Sequence, residues 1–213
     1  MKKIVAMAAL VAIAGLSSSA ALIDFEADVP GFKPNGWSPA GHPLVKFSDT
    51  AGTDLIVGNF GVQGLGSQSL AVFDDGDGSK LQIDFLSPVN SIVLWFGNDD
   101  PGWANPTDRA WLEVWSGATL LATVWSALNL DDIMNQTIGW SGACFDRAYF
   151  WYGDAQGNPF TTGPSGITGL IEIVDNIEYT LCNRVPEAGS AFGLLGLAVV
   201  GMGLARRRWV AQA

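Results

Sequence analysis

Between about Leu22 and Asn183 the chain shows no long segment whose apolar residues repeat at helical spacing. Short runs rich in β-branched, aromatic and other apolar residues recur instead, separated by Gly, Pro, Asn and Asp. These runs are Leu22–Glu26, Leu55–Phe60, Ser69–Phe73, Lys80–Phe85, Ser91–Phe96, Ala110–Trp115, Thr119–Ser126, Cys144–Tyr152 and Ile171–Thr180. Ser116-Gly117 between two of them is a tight-hairpin signal. Some nine strands in about 160 residues predict an all-β fold, an antiparallel two-sheet β-sandwich, most simply a jelly roll. One short helical turn is expected around Leu130–Met134, within a segment 126–142 that reads as loop, as does 27–53.

The ends differ from this middle. Lys2 and Lys3 precede an apolar run from Ile4 to Leu16, and Ser17-Ser18-Ser19-Ala20-Ala21 supplies small residues for a peptidase. That layout predicts a secretory signal peptide over residues 1–21, cut after Ala20 or Ala21. The chain carries 11 basic and 21 acidic residues, net −10. Setting both ends aside leaves six basic and 20 acidic residues, a net −14. A surface of that sign repels phosphate backbones, so nucleic acid is not an expected partner. Export places Cys144 and Cys182 where a disulfide is permitted, and both fall in or beside late strands. With only His42 beside them, they make no zinc site.

At the carboxy-terminal end Val185-Pro186-Glu187-Ala188 comes before an apolar run, 191–205, and Arg206-Arg207-Arg208 closes it. As a helix the run spans about 22 Å against a hydrocarbon core of about 30 Å. Arginine stems extend that reach, with their heads on the cytoplasmic side. This three-part order over residues 185–208 resembles the PEP-CTERM sorting signal, with Ala188 where the family motif has a second proline. The resemblance implies a transmembrane sorting helix and export by the general secretory machinery. It further implies transient inner-membrane retention, then cutting near the motif by an exosortase and release to the cell surface or exopolysaccharide matrix. A plain tail anchor predicts a longer span.

Within the domain, residues 22–183, alternation places side chains. Ala110, Leu112 and Val114 share one face of their strand and form the natural core side. Arg109, Trp111, Glu113 and Trp115 share the other, where Trp111 and Trp115 either stack on sugar rings or lie beneath a long loop such as 27–53 or 126–142. Trp95, Trp125 and Trp151 sit in apolar strands and read as core. Loop 97–108, with Trp103 between acids and amides, is a further candidate binding surface.

Ile23-Asp24-Phe25-Glu26 and Val174-Asp175-Asn176-Ile177-Glu178-Tyr179 resemble the first and last strands of exported jelly-roll modules of the galactose-binding-like kind. In such folds these strands often meet, and acids there hold a structural calcium ion. The resemblance implies Glu26 and Asp175 as ligands, with Asp24 behind them. Residues 74–79 (DDGDGS) fail the EF-hand spacing, since Leu86 stands where a loop starting at Asp75 needs Glu, and they read as an acidic turn. No nucleophile elbow, zincin motif or phosphate loop occurs. The expectation is a non-enzymatic surface or matrix protein contacting polysaccharide, cations or other proteins; the alternative is a secreted carbohydrate-active hydrolase with paired carboxylates.

Overall fold

The computed structural model describes residues 20–62, 64, 66, 68–72, 79–160 and 170–182. Most of the expected signal peptide, the whole of the expected sorting segment and Asp74–Gly78 lie outside the described residues. Those described form ten strands and no helix: β1 (Ala20–Ile23), β2 (Gly31–Phe32), β3 (Val45–Asp49), β4 (Leu55–Gly58), β5 (Ser69–Val72), β6 (Leu81–Phe96), β7 (Arg109–Ser116), β8 (Thr119–Ala127), β9 (Gln136–Gly153) and β10 (Glu172–Leu181). Every pairing is antiparallel.

Two long strands organise the rest. β6 and β9 pair along their length, with register shifts near Val89 where both bend. The first half of β6 pairs with β3 and the last half of β9, which pairs on with β7 and then β8. The second half of β6 pairs with β10, which takes β1 and β5 along its other side. β5 leads on to β4 and β2. Inward residues from these strands other than β2, among them Phe47, Val57, Leu70, Ile83, Leu112, Phe150 and Val174, form one shared core in the manner of a β-sandwich. Cys144 and Cys182 are joined in a disulfide that ties β9 to the end of β10, with Cα atoms 5.8 Å apart.

Several expectations change. Lys80–Phe85 and Ser91–Phe96 belong to one strand: Pro88 lacks an N–H, but it falls at the bend, where a strand tolerates proline. Its carbonyl accepts the Cys182 N–H at 2.8 Å. The segment 27–53 is not a plain loop, because Val45-Lys46-Phe47-Ser48-Asp49 alternates buried and half-buried along β3. β9 likewise begins at Gln136, eight residues before Cys144. Around Leu130–Met134 there is no helical turn. Leu130 and Asp132 take positive φ, 60° and 53°, and the chain folds back over Gly97, where a Cβ would stand 2.7 Å from the Met134 Cα.

Candidate functional site: an aromatic and basic sheet face, and two buried carboxylates

The outward face of β3, β6, β9, β7 and β8 is built in rows, because antiparallel register aligns side chains across strands. In one row Lys46 lies opposite Asp84, Asp84 opposite Arg147, and Arg147 opposite Trp115. In the next, Gln82, Tyr149, Glu113 and Thr123 follow one another. In the third, Trp151, Trp111 and Trp125 stand side by side. Rings and cations interleave. Trp111 and Trp151 stack at 6.2 Å and 11°, the Lys80 ammonium lies 3.6 Å from the Trp151 ring centre, and the Arg109 guanidinium 3.8 Å from that of Trp125. Arg147 pairs with Asp84 at 2.6 Å, and Lys80 with Glu113 at 4.0 Å. Burial, partly offset by Glu113, lowers the Lys80 ammonium below its ordinary pKa.

The face is roofed over Trp111 and Trp151 and uncovered at Trp125 beside them. Trp111 does not offer its ring to solvent: it is 8% exposed, and its indole N–H donates to the Asp154 carbonyl. Trp151 donates to the Gly157 carbonyl. The cover is the turn 154–158, neither 27–53 nor 126–142. Asp154 holds that turn by accepting the backbone N–H groups of Gln156 and Asn158, and Gly157 takes φ 88° at a point where an added Cβ would lie 3.6 Å from the Trp111 ring. Trp125, expected in the core, is 51% exposed on this face. Ala110, Leu112 and Val114 point into the core as alternation requires. Trp115 is half-buried, and its N–H donates to Glu113. Trp103 is exposed on the turn that follows Asp100, whose carbonyl accepts its N–H.

A second centre forms where β1 ends beside β10. Asp175 lies at an irregularity of the β10–β6 ladder, next to Asn176 at φ 41°. Its Oδ1 accepts the Asn176 N–H, while its Oδ2 is buried with no hydrogen-bond partner. Glu26 follows Phe25, itself at φ 58°, and its Oε1 accepts the Gln68 N–H at 3.0 Å. A Cβ placed on Gly66 would collide with that Oε1 and stand 3.6 Å from Asp175 Oδ2. Gly66 therefore floors a small cradle into which both carboxylates point. The Gln68 Oε1 is also buried without a partner. Burial, and then the charges of Glu26 and Asp24, push Asp175 up to about 6. Oxygen donors, an orphaned buried carboxylate oxygen and a glycine-floored gap fit a hard cation such as calcium. Among the described residues no group of three or more His, Cys, Asp or Glu stands at metal-binding distance.

In loop 97–108 Asp99 is fully buried. Its Oδ2 accepts the N–H groups of Asn129 and Leu130, and its Oδ1 that of Asp132. This carboxylate clamps the 129–132 turn. Sequence reading missed this clamp because its partners are backbone groups some thirty residues away. Asp100 and Asp108 likewise accept N–H groups of their own turns, from Gly102 and Asn105.

No protein-family model matches the chain, and no curated protein matches it.

Proposed function

We propose that this chain is an exported bacterial surface or exopolysaccharide-matrix protein whose β-sandwich binds carbohydrate without hydrolysing it. The observation that carries the binding reading is the part of the outward face beyond the 154–158 roof, where Trp125, Trp115 and Tyr149 stand among hydrogen-bonding side chains on the sheet. Aromatic faces take the apolar side of a sugar ring, and Gln82, Thr123 and Glu113 supply donors and acceptors for hydroxyls.

The strand order supports a jelly-roll ancestry: the bent β6–β9 pair acts as a rolled hairpin, one half extended by β7 and β8 and the other by β10 with β1 and β5. Glu26 and Asp175, with Asp24 adding charge, hold a structural calcium in this reading, fastening the first strand to the last. The Cys144–Cys182 disulfide favours an oxidising compartment. Export rests on the signal peptide and on the motif of Val185, Pro186 and Glu187 with Arg206–Arg208. Its partners are the secretory machinery and an exosortase, with the inner membrane as a transient stop.

The test is to express the tagged full chain in its host, fractionate the cells and take intact masses. A product found outside the cell with polysaccharide and lacking both ends supports the proposal. An intact tail in the inner membrane contradicts it.

A further inference from the structure

The domain is strongly acidic, yet its basic residues are not scattered. The structure describes five of them: Lys33, Lys46, Lys80, Arg109 and Arg147. Four of these five lie on the one outward face that also carries the exposed Trp125. The carboxylates woven into the rows are Asp84 and Glu113, each already paired with a cation. The face thus carries a local excess of positive charge on a molecule that is net −10. Lys46 makes no ion pair among the described residues, and the Arg147 side chain is 39% exposed despite its bond to Asp84.

We propose that this face binds an acidic polysaccharide, its carboxylates meeting Lys46, Arg147 and Arg109 and its rings lying on Trp115, Tyr149 and Trp125. The inference deepens the carbohydrate reading above and rests on it. Geometry favours a linear chain lying across the strands. Lys46 and Arg147 are two strands apart, about 10 Å, and Trp115 is one strand further. A pyranose residue is about as long as neighbouring strands are far apart, so such a chain presents one sugar per strand, first to Lys46, then to the Asp84–Arg147 pair, then to Trp115. Opposite charge points to an acidic ligand, because a neutral glycan offers Lys46 and Arg147 hydroxyl acceptors but no counter-charge. Repulsion from the rest of the acidic surface is screened beyond about 8 Å at physiological ionic strength, while contacts on the face act at shorter range.

The experiment titrates the detergent-solubilised full chain with three probes: polygalacturonate, the same polymer fully methyl-esterified, and poly-glutamate. Polygalacturonate is expected to bind at least about tenfold more tightly than its ester, with the difference shrinking as salt rises. Lys46→Gln is expected to weaken polygalacturonate binding severalfold and leave ester binding unchanged; it removes no ion pair of the fold. Arg147→Gln provides a second variant, with its melting temperature measured alongside. Equal binding to polygalacturonate and its ester overturns this inference but leaves the carbohydrate reading standing. Binding to neither polymer overturns both. Poly-glutamate binding as tight as polygalacturonate also overturns the inference, since the face would then recognise charge alone, as on an acidic protein.

Discussion

Asp99, just beyond the end of β6, and Asp175, at an irregularity within β10, are both buried carboxylates, and their surroundings differ in how far the chain itself satisfies them. Asp99 is 0% exposed and accepts three backbone N–H groups from one turn. Asp175 is 1% exposed, accepts one, and leaves Oδ2 with no donor beside Glu26 and Asp24. A buried anion is tolerated when its lone pairs are met. Asp99 is met by the chain itself, so its role is complete within the fold. Asp175 faces more negative charge, and the proposed cation would supply the partner that its Oδ2 lacks.

The largest expected effect tests the first half of that contrast. Asp99→Ala removes three bonds at once, orphaning the N–H groups of Leu130 and Asp132 and leaving that of Asn129 only its 3.2 Å bond to Gln136 Oε1; hydrogen bonds to a charged acceptor contribute about 1.5–3 kcal/mol each. Because the turn relaxes in part, urea denaturation should show a loss of about 3–5 kcal/mol. A loss below about 1 kcal/mol would mean the clamp is incidental.

Next is the cation. At calcium a hundredfold above its Kd the folded state gains about 2.7 kcal/mol, or roughly 5–10 °C in melting temperature for a domain of this size. Asp175→Asn should abolish that response. A response that survives in Asp175→Asn places the ion elsewhere.

A smaller effect follows from the pKa of Asp175, which rises from 3.8 to about 6 through burial first and then Glu26 and Asp24. An acid whose pKa is raised on folding binds its proton more tightly in the native state. Its stabilising contribution is therefore present below pH 3.8 and lost as pH rises through about 6. In EDTA, the melting temperature of the wild type minus that of Asp175→Asn should decline across this window and then level off. A flat difference would show that Asp175 does not titrate as a crowded, cation-free carboxylate.

The smallest stability effect belongs to the outward face. Trp125→Ala removes a half-exposed ring that rests on Arg109, and should shift stability by no more than about 0.5 kcal/mol. The same change at Trp111, roofed by the turn 154–158, should cost about 3 kcal/mol, as for a core tryptophan. Comparable losses at the two positions would mean that the exposed end is not open.

Much of the scaffold was legible because period-two patterning is local. The run from Arg109 to Trp115 assigns its core and outward sides without any partner strand. β3 could have been read the same way from Val45, Phe47 and Asp49, but charges and a short length made it look like loop. The join of Lys80–Phe85 to Ser91–Phe96 was hidden by Pro88, whose tolerance depends on a bend that only the neighbouring strand reveals. Site geometry was less accessible. Trp125 read as core because its strand is apolar, yet β8 lies at the end of the sheet, where one face meets solvent. The roof over Trp111 comes from residues 154–158, which carry no mark in sequence of what they cover. Glu26 and Asp175 were indicated by resemblance, while Gly66 and Gln68 beside them emerge only once β5 lies alongside β10.

The most direct test of the account is a calorimetric titration of the full chain with exopolysaccharide isolated from the cells that export it, with reducing ends measured in the same samples. The account predicts saturable binding that Trp125→Ala abolishes without loss of fold, and no new reducing ends. Absence of binding, or release of reducing ends by the wild-type chain, would contradict it.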